Sequence, residues 1–327
     1  FSRFHLKGDG AADWLASLIT GNLPQVGRFG LVYFASAKGK VLTEMSATRL
    51  AEDEFLLITG AGAYWHDRDL LNGCLPTSGG VSLQDTTRDY ATLLVTGPKS
   101  PAIIAAVSGL STSQADFPWL SHQPCQIAGC WVTAIRVSFA GEAGWEIHCD
   151  MADVLTVYDQ IMKAGAPHQL GHFGMLALDS MRLEKGYRSW KSDLTSDYTM
   201  LESGLGRWVK FDKPDFVGRS ALQAEHQAGS KRQFAMLTLD DPVDGNSDPF
   251  GEAVYLSVVQ CDGVDSGLVV SAGYGHRVNK SIAMAVVDTE KLVSASQISV
   301  AVVGRPRSAH LVPAHALYDL NDEKLRG

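Results

Sequence analysis

The feature that most constrains the fold of this 327-residue chain is a change of pattern near residue 230. Before that point, strand-like and helix-like segments alternate without the regular spacing of βαβ units, and no G-x-G-x-x-G sequence occurs. This mixture argues against a doubly wound nucleotide-binding domain and predicts an α+β fold with antiparallel sheets. The predicted strands cover residues 30–34, 42–48, 55–59, 89–96, 130–137 and 144–148, and the predicted helices cover 9–18, 62–71, 100–107, 151–164 and 173–185.

Beyond the linker-like segment Gly229-Ser-Lys-Arg232, only short strand-like runs occur, separated by turns rich in Gly, Asp and Pro. No strong helical pattern accompanies them, so this part of the chain is typical of a separate small β-barrel or sandwich. The predicted strands cover residues 234–239, 253–256, 268–270, 281–287 and 297–303.

Composition and charge exclude several classes of function. The formal net charge is −8, from 28 Lys and Arg against 36 Asp and Glu, so we do not expect nucleic-acid binding. No apolar run approaches the roughly 20 residues that a bilayer requires, so we expect no membrane association. The five cysteines form no C-x-x-C pair, which predicts buried thiols in a reducing, cytoplasmic environment and no metal site. The chain starts at Phe1 without a methionine, and we expect further sequence upstream.

A dense polar segment follows the apolar run 173–178. The sequence Ser180-Met-Arg-Leu-Glu-Lys-Gly-Tyr-Arg-Ser-Trp-Lys-Ser-Asp193 gathers six charged side chains around Gly186 and two aromatic residues, Tyr187 and Trp190. Such a segment is typical of a pocket wall. The alternative is an amphipathic surface helix with a charged end.

Two glutamates lie in strand-like segments. In Lys40-Val-Leu-Thr-Glu-Met-Ser46, alternation places Glu44 on the same face as Leu42, where a carboxylate is a candidate acid–base group. In Gly141-Glu-Ala-Gly-Trp-Glu-Ile147, Glu146 lies among apolar residues and needs a polar partner, such as the amino-pyrimidine edge of a flat ligand. The alternative for both is a solvated strand face.

Taken in order, these motifs resemble the aminomethyltransferase family, which includes the T-protein of the glycine cleavage system. The resemblance also includes Leu94-Val-Thr-Gly-Pro98, Asp193, Glu202 and Gly273-Tyr-Gly-His-Arg277, the last of which we interpret as a tight turn that caps a neighbouring domain. Phe216-Val-Gly-Arg-Ser-Ala-Leu222 and Leu317-Tyr-Asp-Leu320 are most similar to the C-terminal, tetrahydrofolate-binding region of dimethylglycine and sarcosine dehydrogenases.

The resemblance implies three domains around a central folate channel. Two interleaved α+β domains would occupy residues 1–230, and a small β-barrel would occupy residues 231–327. It also implies tetrahydrofolate-dependent one-carbon transfer, in which the carbon of an N-methyl amine is captured as 5,10-methylenetetrahydrofolate. The partner would be a dehydrogenase domain that carries FAD and lies upstream of this sequence.

The same resemblance assigns roles to individual residues. Glu44 would be catalytic, Glu146 would bind the pteridine, and Arg182 and Trp190 would contact the folate. Lys185, Arg188 and Lys191 would meet the glutamate tail of the folate, or else form a solvated helix end.

This sequence departs from the family at several positions. Thr43-Glu44 replaces a pair of aspartates, and Gly60 replaces an asparagine. Tyr318 is a candidate for a tyrosine that the family carries near its C-terminus.

Two other functions remain open on the sequence. The first is demethylation of another methyl donor on the same fold, namely a sulfonium compound, an aryl methyl ether or trimethylamine N-oxide. The second is a non-catalytic module that binds folate without turning it over.

Overall fold

The computed structural model of the chain describes residues 1–77, 79–240 and 251–327. Its first part is a five-stranded antiparallel sheet with the strand order β2-β3-β4-β1-β5. Alternation along β3 turns Met45 into the apolar core and leaves Glu44 half-buried on the other face, as the sequence predicts. The elements are β1 (Ser2–Lys7), α1 (Ala11–Leu18), β2 (Phe29–Ala35), β3 (Val41–Ala51), β4 (Glu54–Thr59), α2 (Tyr64–Gly73) and β5 (Ser82–Asp85).

A second antiparallel sheet has the strand order β6-β9-β8-β7 and is covered by two helices. Its core forms around Trp145, which is fully buried, against Ile104 from one helix and Ile161 from the other. The elements are β6 (Tyr90–Thr96), α3 (Ser100–Ser108), β7 (His122–Ile127), β8 (Cys130–Ile135), β9 (Gly144–Asp150) and α4 (Val154–Gly165).

Helix α5 (Met175–Glu184) differs at its two ends. Its last turn is buried at Arg182 and Glu184, whereas Met175 is 77% and Leu176 90% exposed. The helix predicted over residues 173–185 begins at Met175, and no described residue covers its first turn. Helix α6 (Arg219–Ala228) was not predicted, because its sequence is mostly polar and Leu222 is its single buried side chain.

The C-terminal part is a closed six-stranded barrel with the strand order β10-β13-β12-β11-β14-β15. Closure pairs every strand on both sides, which leaves no open edge. The elements are β10 (Arg232–Leu239), β11 (Val258–Cys261), β12 (Val264–Gly275), β13 (Lys280–Asp288), α7 (Thr289–Ser294), β14 (Ile298–Val302), β15 (Arg305–Leu311) and α8 (Glu323–Arg326). No helix within the described ranges is long and apolar enough to cross a membrane.

Two details of the barrel correct the sequence predictions. Residues 253–256 do not form a strand, because Leu256 has a φ of 68°, which extended backbone does not adopt. Gly273 and Gly275 lie at the end of β12 rather than in the turn, which follows them. The antiparallel α+β fold with a C-terminal barrel is confirmed.

The end of α5 joins the barrel to the C-terminal segment. The side chain of Glu184 accepts a hydrogen bond from the backbone N–H of Arg277 at 2.6 Å, and its backbone carbonyl accepts one from Leu317 at 2.8 Å. Gly186 has a φ of 75°, and a Cβ there would lie 1.7 Å from the carbonyl oxygen of His315, so only glycine allows this approach. The turn after β12 therefore contacts a neighbouring part of the molecule, as the sequence predicts.

Candidate functional site

Glu44 is a carboxylic acid whose ionisation lies close to neutrality. Removal from water raises its pKa from the ordinary 4.5 to about 7, while the Tyr33 hydroxyl and the charge of Arg188 pull the pKa down. Protein atoms surround the group, yet part of its surface stays accessible. A half-protonated, partly accessible carboxyl is suited to accept or donate a proton at pH 7.

Tyr33 and Arg188 form the rest of the polar environment of Glu44. Tyr33 lies directly opposite Glu44 across the β2–β3 ladder, and burial raises the pKa of its hydroxyl well above 10. The Arg188 guanidinium stacks 3.9 Å from the centre of the Phe234 ring, and burial lowers its pKa. Its charge also acts on Asp193, so a carboxyl that titrates near neutrality, a cation and a second acidic side chain interact here.

The segment 188–193 has an unusual concentration of unpaired polar atoms. Among the described residues, ten buried side-chain atoms have no hydrogen-bond partner, and three of them are Arg188 Nε, Trp190 Nε1 and Asp193 Oδ1. Because a buried donor or acceptor without a partner is costly, such atoms call for a ligand or ordered water. Trp190 Nε1 and Asp193 Oδ1, a donor and an acceptor three residues apart, fit a flat ligand that carries both an acceptor and a donor, and Arg188 Nε is a further unpaired donor. We call Tyr33, Glu44, Arg188, Trp190 and Asp193 the Glu44 cluster.

Arg182 reaches this cluster only through Asp193. Its side chain is 2% exposed, and Asp193 Oδ2 accepts from its Nη1 and from the backbone N–H of Ser189 at 2.7 Å. The other guanidinium nitrogens donate to Asp179 at 2.7 Å and to Ser271 at 2.9 Å. Arg182 therefore fixes the carboxylate whose second oxygen is unpaired, and its direct contact with folate stays a prediction.

Glu146 lies on β9 and is bonded to a buried histidine. Arg3 Nη1, which can only donate, lies 3.3 Å from His148 Nδ1, so Nδ1 accepts and Nε2–H donates to Glu146 Oε2 at 3.1 Å. His148 thus supplies part of the polar partner that Glu146 was predicted to need. Oε1 has no donor among the described residues, so it can still bind a ligand.

Tyr318 lies in the C-terminal segment, away from the contacts of Glu44. Its hydroxyl donates to Glu142, and Arg277 stacks 3.8 Å from the centre of its ring. Burial raises the pKa of the hydroxyl. These contacts attach the C-terminal segment to the barrel turn, and a folate contact for Tyr318 stays a prediction.

The basic residues of the segment separate into two groups. Lys185 is buried and donates to Asp322 Oδ1 at 2.7 Å, which removes it from the set expected to meet a folate tail. Lys191 is exposed, stacks 4.6 Å from the Trp190 ring, and lines a pocket of ≈330 Å³ with Ser271. Among these lysines, Lys191 is the one placed to meet an anionic group next to Trp190.

Sequence reasoning missed Tyr33 and the neighbouring acid Asp67. Tyr33 follows from the register of β2 against β3, which no local pattern reveals. Asp67 is fully buried, accepts from Thr59 at 2.5 Å, and lies 2.8 Å from His66, whose ring is 6.5 Å from that of Trp190. The available signal was its spacing of four residues from Leu71 on the buried face of α2.

The fold and the cluster together place a near-neutral acid among unpaired polar atoms, in a chain whose C-terminal part is a closed barrel. The family model described as GCVT N-terminal domain matches residues 1–213, and the glycine cleavage T-protein C-terminal barrel domain matches residues 232–319. The chain belongs to the glycine cleavage T-protein family, which confirms the resemblance seen in the motifs and supports an enzyme of the transferase kind.

Individual relatives agree with this assignment. Dimethylglycine dehydrogenase of Mus musculus, a mitochondrial protein, is 32% identical over 315 residues, which cover 95% of this chain and 35% of the relative. Mitochondrial sarcosine dehydrogenase of the same organism is 34% identical over 301 residues, covering 86% and 32%. This chain spans about a third of the length of these curated relatives.

A solved structure supports the fold independently. The glycine cleavage system aminomethyltransferase T from Bartonella henselae superposes with a TM-score of 0.82 over 97% of this chain and 84% of that chain, at 20% identity.

Proposed function

We propose that this chain binds tetrahydrofolate and transfers to it a one-carbon unit derived from an N-methyl amine, giving 5,10-methylenetetrahydrofolate. The observation that carries the proposal is Glu44, a carboxyl with a pKa of about 7 among unpaired hydrogen-bonding atoms. Membership of the T-protein family supports it, as do two relatives named for the N-methyl compounds dimethylglycine and sarcosine.

Trp190 and Asp193 of the Glu44 cluster suit a flat, hydrogen-bonding heterocycle. Asp193 Oδ1 would accept from an amino or ring N–H group, and Trp190 Nε1 would donate to a ring nitrogen or carbonyl. Glu146 would contribute its unpaired oxygen from β9, and Lys191 would meet the carboxylates of the tail. Arg182 would act by holding Asp193, and Tyr318 by holding the C-terminal segment in place.

The N5 and N10 amines of tetrahydrofolate would each form a bond to a carbon at the oxidation level of formaldehyde and each lose a proton. The demethylated amine would leave as its bond to that carbon breaks, or water would leave where formaldehyde itself reacts. The task of Glu44 is to accept a proton from an amine N–H and to release it again. With a pKa of about 7, comparable amounts of its acid and its base are present at neutral pH. Its carboxylate form would also stabilise a nearby cation, and this effect is stronger in a partly desolvated site.

The N-methyl carbon of the donor must be oxidised to the level of formaldehyde before it can be transferred. Both named relatives are dehydrogenases that are about three times as long as this chain. We therefore propose that an FAD-dependent dehydrogenase, as a further domain or a separate subunit, oxidises the N-methyl amine.

Two measurements on the wild type and on Glu44→Gln test the proposal. Calorimetric titration measures tetrahydrofolate binding, and an absorbance assay follows the conversion of formaldehyde to methylenetetrahydrofolate above the uncatalysed rate. The proposal predicts that the variant binds folate within a few-fold of the wild type and loses about 10²-fold in rate. Glu52→Gln is the matched control, because Glu52 has an 84% exposed side chain and should change neither quantity.

Each result that contradicts the proposal would point to a different alternative. Folate binding with no rate above background in the wild type would identify a non-catalytic binding module. Catalysis that Glu44→Gln leaves unchanged would remove Glu44 from the reaction. Faster turnover with a sulfonium compound, an aryl methyl ether or trimethylamine N-oxide would replace the N-methyl amine as donor.

A further inference from the structure

Arg188 carries a positive charge that no described residue pairs with by hydrogen bonding. Its Nε is buried without a partner, and the Phe234 ring, 3.9 Å away, fixes the plane of the guanidinium. An ideal Cβ at Gly204 would lie 2.8 Å from Nη2, so the absence of a side chain there makes room for the group. A guanidinium held in one plane with free N–H groups is arranged to bind a carboxylate through two parallel hydrogen bonds.

The neighbouring acids do not fill this role. Asp193 uses Oδ2 to bind Arg182 and the backbone of Ser189, and only its Oδ1 is unpaired. Glu44 faces the hydroxyl of Tyr33 and is not hydrogen-bonded to Arg188. The guanidinium therefore has no described hydrogen-bond partner and remains available to an anion that binds beside it.

The position of Arg188 discriminates between two sources of that anion. In folate, the rigid p-aminobenzoyl ring separates N10 from the carboxylates of the tail, so those carboxylates lie at least a ring's length from amines placed beside Glu44. Lys191, on the ≈330 Å³ pocket, is better placed for the tail. In an N-methyl amino acid, by contrast, one carbon separates the amine nitrogen from the carboxylate.

We propose that Arg188, stacked on Phe234, is the binding site for the carboxylate of the one-carbon donor, and that it selects N-methyl amino acids over simple methylamines. The inference rests on the proposed function, because that function places the reacting carbon beside Glu44. Arg188 is then a specificity-determining residue that contacts the donor and not the folate.

Ligand-observed saturation-transfer NMR with sarcosine and dimethylamine tests this, because the two probes differ only by the carboxylate. The wild type should bind sarcosine about tenfold or more tightly than dimethylamine, as expected for charged hydrogen bonds. Arg188→Gln should abolish that preference and leave dimethylamine binding and tetrahydrofolate affinity unchanged. Arg188→Lys should retain part of it. Arg207→Gln is the matched control, because Arg207 is an exposed neighbouring cation that stacks on Trp208.

Equal affinity of the wild type for the two probes would overturn the inference. So would a loss of tetrahydrofolate affinity in Arg188→Gln with sarcosine binding intact, because that would assign Arg188 to the folate. If Arg188→Gln does not fold, as judged by circular dichroism, the wild type and Arg188→Lys decide the question. If the wild type fails to bind tetrahydrofolate, the proposed function is refuted. The comparison of sarcosine with dimethylamine would still test the role of Arg188 independently.

Discussion

Replacing Glu44 with glutamine should stabilise the protein above pH 7 and leave its stability near pH 4.5 unchanged. Glutamine has nearly the shape of the protonated acid and never ionises. The wild type, in contrast, must hold a carboxylate in a desolvated recess once the pH exceeds the pKa of about 7. Active sites often keep a residue that lowers stability because catalysis requires it. A catalytic role for Glu44 would therefore explain why a destabilising carboxylate is kept at this position.

The direction and size of the effect follow from the two pKa values of Glu44. The folded pKa of about 7 lies above the unfolded value of 4.5, so the folded state binds more protons between these values. The contribution of Glu44 to stability is therefore fully present below pH 4.5 and is lost as the pH rises through about 7. At roughly 1.4 kcal/mol per pKa unit the loss is about 3 kcal/mol. Because the side chain is partly accessible to water, we expect about 2 kcal/mol to be measured.

Urea unfolding at a series of pH values from 4.5 to 8.5 measures this difference. The free energy of unfolding of Glu44→Gln minus that of the wild type should rise with pH and level off above pH 7.5. Glu52→Gln should show no such rise, because its side chain is exposed. A pH-independent difference between Glu44→Gln and the wild type would show that Glu44 titrates normally and would refute the argument.

Three further predictions concern other side chains. Arg182→Met should lower the free energy of unfolding by about 3–5 kcal/mol in a urea titration, because it leaves Asp193 buried without its cation; a loss below 1 kcal/mol would contradict the buried pair. Lys213→Met should cost about 1–3 kcal/mol by the same measurement, because the ammonium donates to three backbone carbonyls at 2.7 Å each; an unchanged urea midpoint would contradict this. Tyr33→Phe should raise the pKa of Glu44 above 7 and move the rising limb of the pH–rate profile to higher pH; a shift to lower pH would show that Tyr33 acts differently.

The sequence predicted those features of the site that depend on local pattern. The alternation of residues 41–47 placed Glu44 on the less buried face of β3, and the structure agrees. The switch to short strands near residue 230 predicted the barrel, and the turn after β12 does contact α5. Each of these inferences needs only a few adjacent residues, for which side-chain periodicity is informative.

Features that depend on contacts between distant parts of the chain could not be predicted from the sequence. The Arg182–Asp193 ion pair could not be distinguished from an arginine that faces a ligand, because both satisfy a buried guanidinium. Strand β5 was missed because Ser82–Asp85 is an exposed edge segment without an apolar face. The exposed first turn of α5 was likewise unpredictable, since an apolar sequence does not reveal what covers it.

Titration of the Glu44 carboxyl by carbon-13 NMR, with and without tetrahydrofolate, tests the central claim most directly. The account predicts a midpoint near pH 7 in the free protein, and a clear displacement of that midpoint when folate binds. Assignment of the resonance comes from its absence in Glu44→Gln. A midpoint near 4.5, or a midpoint that saturating folate does not move, would contradict the claim that Glu44 is the proton acceptor of a folate site.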